Sequence, residues 1–475
     1  MIWLWLGPLC LLAALLLIAV ARTLAAGQKH ADYRPDPDPE RAARYAEKLS
    51  RMVRCETVSR PGEDQREKFL AFHALLAELF PLTHARLEKK EIDGNLLFFW
   101  KGKSSERPVV LMSHQDVVPA EGSWRYPPFS GAIAEGKVWG RGSADTKCSV
   151  LGFFQAVEEL LAEGFVPAQD VILSSSCTEE YAGPGCRKLV DELKARGVRP
   201  WLVCDEGGGV IVDPIAGVRG AFAMMGVFEK GKADVKFTAR SPGGHASAPP
   251  ANSPIARLAA FENRVERRSP FRRAFEPEVA AMFARLSAYA PFGLRLLLGN
   301  VWLFGPLLKL VMPKLSPQAG ALLRTTVAFT MQSGSDACNV LPQEASVWAN
   351  LRFIPHQGMD ESLALIRALA AKYGLETEVL SASDYTAPTD IGGEAWRFAV
   401  RTVEETFPGV PACPYVMTGA TDARFYQAIC DSVIRFAPVI YGPEQMKGMH
   451  GVDENIGIDC LPGAVDFYRN LIRGL

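Results

Sequence analysis

Apolar and polar positions along this chain follow two periods, and the point where the period changes marks its organisation. Near residues 40–53 and from Gln65 to Phe80 apolar residues recur every three to four positions, which predicts amphipathic helices. Asn95–Trp100 and Val109–Ser113 are short apolar runs and predict buried strands. The same logic predicts a helix over 147–164, a strand over 170–176, a helix over 184–196 and a strand over 200–204. Strands alternating with helices imply a three-layer α/β domain on a largely parallel sheet.

The grammar changes near residue 222. Glu229–Ala239 alternates apolar and polar residues, as a half-buried strand does, and 255–290 looks helical and charged. Ser346–Phe353 predicts another strand and 360–373 a helix, after which the α/β pattern resumes. The expected layout is a main domain in two parts, 41–222 and 357–475, with an α+β domain at 223–356 inserted between them.

Two apolar stretches stand apart from this pattern. Ile2–Ala21 is uncharged and about long enough to cross a bilayer, so residues 1–27 read as a membrane anchor or as a cleaved signal peptide. Arg22, Lys29 and Arg34 follow it and, by the positive-inside rule, would hold the main domain on the cytoplasmic side. Residues 28–40, with Arg34-Pro35-Asp36-Pro37-Asp38-Pro39, form a proline-rich linker. The second stretch, 291–313, is broken by Gly and Pro and punctuated by Arg295 and Lys309. It suits a monotopic or acyl-binding patch, or equally a core or dimer-interface helix.

Composition narrows the function. The 475 residues suffice for two domains, and a net charge of −1 gives no sign of nucleic-acid binding. Ten cysteines occur without a CxxC pair, which argues against a disulfide framework.

Five phrases carry candidate chemistry. Ser113-His114-Gln115-Asp116 follows a predicted strand, and residues two apart on extended backbone share a side, so Asp116 can orient His114. Gly142-Ser143-Ala144-Asp145-Thr146-Lys147 is a glycine-rich turn before a helix; Asp145 is either a capping residue or a carboxylate bridging two metals. Thr178-Glu179-Glu180 ends a strand with adjacent acids that diverge, one free to ligate metal (Glu180) and one to face a water as general base (Glu179). Cys204-Asp205-Glu206-Gly207 offers Asp205 as a ligand, with Glu206 as its rival, and Met449-His450-Gly451 offers a second histidine. Each phrase alone also fits a capping, loop or core role. Together they supply His114, Asp205 and Asp145 for one zinc and His450, Glu180 and Asp145 for another. Co²⁺ or Mn²⁺ are possible substitutes in such a mixed set.

These phrases, in this order, resemble the di-zinc aminoacylase and carboxypeptidase family over nearly all of the chain after about residue 40. The resemblance implies a catalytic domain interrupted by a smaller ferredoxin-like lid that often dimerises, hence a homodimer. Ser241-Pro242-Gly243-Gly244-His245-Ala246-Ser247 resembles the lid phrase whose histidine, here His245, polarises the scissile carbonyl. Asn339 and Arg352 resemble lid residues that hold the oxyanion and the substrate carboxylate, and Gly419-Ala420-Thr421-Asp422-Ala423-Arg424 resembles a carboxylate-binding loop, from which Ala420 departs. Within the family, the apolar N-terminus and the enlarged lid are most similar to carboxypeptidase S and the N-fatty-acyl-amino-acid synthase/hydrolases. The implied activity is hydrolysis of N-acyl amino acids, with a long acyl chain, or of small peptides with a free carboxylate. A carboxypeptidase or dipeptidase without lipid preference is the near alternative. A membrane-tethered binding protein with an inactive zinc site is the alternative of another class. Family precedent places the catalytic domain outside the cytoplasm, anchored or secreted, against the positive-inside reading.

Overall fold

In the strand Ser104–Met112, neighbouring residues serve different cores. Val109 and Leu111 belong to one buried cluster, Val110 and Met112 to another on the opposite face. A sheet covered on both faces needs such a continuous apolar run, and each fully buried aliphatic side chain contributes roughly 1.5–3 kcal/mol. The computed structural model describes residues 2–31, 33 and 38–475, with no side-chain detail for 2–6; Arg34-Pro35-Asp36-Pro37 of the expected linker lies outside the described residues.

The strand is central to a ten-stranded mixed sheet. Gln169–Ser175, Ser104–Met112, Leu202–Asp205 and Val433–Arg435 lie side by side and parallel. The flanks depart from the expected parallel order. Asn95–Trp100 runs antiparallel to Gln169–Ser175, and Gly209–Val212 pairs antiparallel with Ala221–Glu229, to which a short connection joins it. Helices Pro39–Arg54, Lys147–Ala162 and Leu461–Arg473 pack into the core of one face, and Gly185–Ala195 covers the other. This is the three-layer α/β architecture.

A separate four-stranded antiparallel sheet has the order Thr326–Ser333, Glu344–Phe353, Gly231–Arg240, Leu375–Ser383. With helices Pro254–Arg267 and Met359–Ala371 it forms the split strand–helix–strand arrangement of ferredoxin-like units, around its own core of Val235, Phe237, Phe261, Val347 and Leu351. Its limits differ from 223–356. Ala221–Glu229 stays in the large sheet, and Leu375–Ser383 pairs beside Gly231–Arg240. That last strand alternates exposed and half-buried residues, so its pattern alone does not assign it to either sheet.

The span expected to be helical at 255–290 is two helices, Pro254–Arg267 and Pro277–Ser287. The second begins a helical insertion that includes Phe292–Leu298 and Val301–Leu315. It packs Met282, Phe283, Leu298 and Leu308 into the core of the large sheet rather than the small one.

Candidate metal centre

Three adjacent parallel strands end together, and the chain turns that follow them carry His114, Glu179 with Glu180, and Asp205 with Glu206. Open α/β sheets place ligands at such carboxyl ends. Asp145 arrives on the turn before the helix Lys147–Ala162, and His450 on the turn after the helix Pro443–Gly448.

Asp145 lies between the two histidines. Its Oδ1 is 3.2 Å from His114 Nε2 and its Oδ2 is 3.1 Å from His450 Nε2. Glu180 Oε2 lies 3.1 Å from the same His450 nitrogen. Possible ligand atoms of His114, Asp145 and Glu180 fall within 4.8 Å of one another, as do those of His114, Glu179 and Glu206. The structure thus gathers His114, Asp145, Glu179, Glu180 and His450.

Asp205 is not part of this group. Its Oδ2 accepts from the Ala423 N–H at 2.9 Å, and its Oδ1 is buried with no hydrogen-bond partner among the described residues. Glu206 takes the facing position, with Oε1 3.3 Å from His114 Nε2. Consecutive side chains at a strand end point apart, and here the second of the pair faces the cluster.

Asp116 orients His114 by a different route from the one expected. His114 Nδ1 lies 2.9 Å from the main-chain oxygen of Asp116 and 3.5 Å from its carboxylate. The carboxylate instead accepts from Ser59 Oγ at 2.6 Å and from the backbone N–H groups of Glu179 and Glu180 at 3.2 and 3.1 Å. One residue therefore sets both the imidazole and the acidic pair.

A buried acid that sequence inspection passed over holds the Asp145 turn. Glu454 Oε1 accepts from the N–H groups of Gly142, Ala144 and Asp145 at 2.9–3.0 Å, and Oε2 pairs with Arg141 Nη1 at 2.6 Å. Arg141 Nη2 also donates to the Gly451 carbonyl at 2.8 Å, beside His450, whose φ is +56°. The turn is tight at Gly142, where φ is +85° and an added Cβ would lie 2.6 Å from Val117 Cγ1. The Asp145–Thr146 peptide bond is cis. An acid four residues beyond a histidine is a weak signal, so Glu454 was legible only by its burial.

The donor set fits divalent metal. Ion pairs to Asp145, Glu180 and Glu206 come only from the two histidines among the described residues, so the cluster holds an excess of buried carboxylate. Burial pushes the Glu206 carboxyl up to about 8, against the pull of His114 and with Asp145 adding to the rise. Burial raises Glu179 too, despite His114. Asp145 and Glu180 hold His450 up to about 10. Cations would displace these protons and satisfy the carboxylates.

The remaining predicted residues lie on the small sheet, on or beside the two-stranded ribbon of Gly244–His245 with Val340–Leu341, or in a loop. His245 pairs through its backbone with Val340, next to Asn339, and its Nδ1 lies 2.8 Å from Ser247 Oγ; both His245 and Asn339 are exposed. Arg352 is half-buried and donates to Asn350 Oδ1 at 3.0 Å. Gly419 is exposed, with the Met417 side chain beside it, and nearby Thr421 donates to the buried Glu229 at 3.0 Å. Among the described residues no hydrogen bond or ion pair links His245, Asn339 or Arg352 to the histidine–carboxylate cluster.

Comparison with known proteins places this geometry. A model of peptidase family M20/M25/M40 matches residues 110–474. N-fatty-acyl-amino acid synthase/hydrolase PM20D1 of Xenopus tropicalis is 33% identical over 437 residues, covering 90% of this chain and 85% of the relative. Probable carboxypeptidase S-like 2 of Dictyostelium discoideum is 30% identical over 440 residues, covering 90% and 84%. Among solved structures, the M20 family metallo-carboxypeptidase Sso-CP2 from Sulfolobus solfataricus superposes with a TM-score of 0.67 at 17% identity, covering 90% of this chain and 98% of that one. Human carnosine dipeptidase 1 follows at 0.63 and 15%, covering 92% and 97%. At these identities the structures establish the shared fold.

Proposed function

The chain belongs to peptidase family M20/M25/M40, and from that premise we propose that it hydrolyses the amide bond of N-acyl amino acids with a long acyl chain, at a centre holding two zinc ions. The observation that carries the two-ion part is Asp145, whose two oxygens face two different histidines. His114, Asp145 and Glu206 would hold one ion, and His450, Asp145 and Glu180 the other. When bound, two such ions supply Lewis acidity that lowers the pKa of a water and polarises a carbonyl. The long-acyl preference is supported by the relatives named for N-fatty-acyl amino acids.

The protein's own groups do the rest. Glu179 takes a proton from the attacking water and returns it to the leaving nitrogen. His245 donates to the carbonyl oxygen as charge develops there. Arg352, Asn339 and the Gly419 loop hold the amino acid's free carboxylate. Arg352 stands on the small sheet, and His245 and Asn339 on or beside the two-stranded ribbon of Gly244–His245 with Val340–Leu341, so this assignment requires those elements to close over the cluster or a second copy to supply them. A homodimer through the small sheet is part of the proposal, and its edge strand Thr326–Ser333 leaves most residues exposed. The helix Ile2–Ala26 serves as a membrane anchor, with the catalytic domain outside the cytoplasm.

Hydrolysis of N-oleoyl-phenylalanine, Gly-Leu and N-acetyl-methionine by the full chain in detergent with added zinc tests the substrate. Clear preference for oleate release supports the proposal. Preference for Gly-Leu overturns the acyl part and makes the enzyme a dipeptidase without lipid preference. Zinc content without turnover of any of the three would favour a binding protein.

A further inference from the structure

The N-terminal helix and the apolar insertion meet. The stretch Gly7–Ala26 is apolar and long enough to cross a membrane, and of its residues only Ala19 and Thr23 are buried. Both lie near its C-terminal end and pack against the insertion. Asn300, buried at the bend between Phe292–Leu298 and Val301–Leu315, donates through Nδ2 to Thr23 Oγ1 at 3.1 Å and to the Leu296 carbonyl at 2.9 Å. Its Oδ1 accepts from Trp302 Nε1 at 3.2 Å. The two insertion helices are bent by 100° about this point.

The longer helix has two unlike faces. Gly305, Leu308 and Met312 are buried against the body of the protein. Trp302, Leu307, Leu310, Val311 and Leu315 point outward, with Leu310 61% and Leu315 77% exposed. An apolar face of this kind beside an exposed apolar helix has a shared solution in hydrocarbon. The depth agrees. At 1.5 Å per residue, Thr23 and Ala19 lie roughly 5 and 10 Å from the helix end at Ala26, which is how far interfacial helices sink. Lys309 and Lys314 sit on the same helix, with stems long enough to reach the headgroups. Just past Ala26, a cleft of about 180 Å³ is lined by Lys29 and Arg219, placing positive charge at headgroup level.

We propose that the bent pair Phe292–Leu298 and Val301–Leu315 is a second membrane-inserting surface, seated in the leaflet that receives the C-terminal end of the N-terminal helix, with lipid as its occupant. The protein is then held at two points, and its orientation on the bilayer is set by the Asn300–Thr23 contact. This rests on the reading of residues 7–26 as a retained span, so the test reports on both.

The full chain, carrying Cys10→Ser and Cys338→Ser, is placed in phosphatidylcholine–phosphatidylglycerol vesicles. A fluorophore is attached at Leu12→Cys, Leu310→Cys or, as an exposed control at the end of the helix Met359–Ala371, Lys372→Cys. Quenching by iodide is compared with quenching by lipids spin-labelled at shallow and deep acyl positions. The expected result is that deep lipid quenches at position 12, shallow lipid at 310, and iodide several-fold more at 372 than at either. Iodide access at 310 equal to that at 372, with position 12 still quenched by lipid, overturns the second surface and leaves the anchor standing. Protection at 310 from iodide and lipid alike means that protein, such as a second copy, covers the face, and also overturns it. Iodide access at position 12 removes the span and the inference with it.

Discussion

Oε1 of Glu454 accepts the backbone N–H of Asp145 at 3.0 Å, so a buried side chain from the His450 loop fixes the main chain of the residue whose oxygens face both histidines. Removing one partner of a buried pair leaves the other charge uncompensated, at a cost of about 3–5 kcal/mol. Glu454→Ala is expected to lose stability on that scale and zinc with it, and Glu454→Gln, which keeps one acceptor, to lose less. Urea unfolding with parallel zinc analysis checks this; an unchanged midpoint and stoichiometry in the alanine variant would refute it.

The choice between neighbouring acids is testable separately. Glu206→Gln is expected to lower bound zinc to about one ion per chain by removing a ligand. Asp205→Asn should retain both ions, because the Asp205 carboxylate is engaged with the Ala423 N–H. The opposite pattern in metal analysis would return the ligand role to Asp205.

Glu179→Gln should leave zinc content and melting temperature near those of the parent while reducing kcat by about 10²–10⁴, the usual contribution of a positioned acid–base group. Turnover close to the parent in a zinc-loaded variant would show that another group moves the proton.

His245 stands on the two-stranded ribbon of Gly244–His245 with Val340–Leu341. His245→Ala is expected to reduce kcat by about 10²–10³, as the loss of one oxyanion donor does, with zinc unchanged. A rise in KM alone would assign it to ground-state binding instead.

His73 is buried, its Nε2 2.9 Å from Gln115 Oε1 and its Nδ1 without a hydrogen-bond partner among the described residues. Burial lowers its pKa from 6.5 to about 4. The unfolded chain therefore takes up this proton at a higher pH than the folded chain. The contribution is full above about 6.5 and is lost as pH falls toward 4, a change on the order of 3 kcal/mol. Urea midpoints at pH 7, 6 and 5 should fall more steeply for the parent than for His73→Gln. Parallel slopes would show that His73 is not the group responsible.

The sequence by itself determined many of the strands and helices, because a continuous apolar run such as Val109–Met112 and a helical run such as Lys147–Ala162 are written into single segments. It also brought out the acids and histidines that gather at the strand ends, since each sits in a short phrase beside its own strand or turn. Tertiary structure alone decided what depends on direction and distance. Asp205 and Glu206 share a phrase but diverge, so only the packed backbone turns Glu206 to His114. The carboxylate of Asp116 and that of Glu454 act on main-chain N–H groups, which carry no residue identity for a sequence to display. The strand Leu375–Ser383 joins the small sheet through a hydrogen-bonded edge that its own alternation does not specify. The apolar insertion packs on the large core because its buried face meets that core in three dimensions, while its outward face was already as apolar in one.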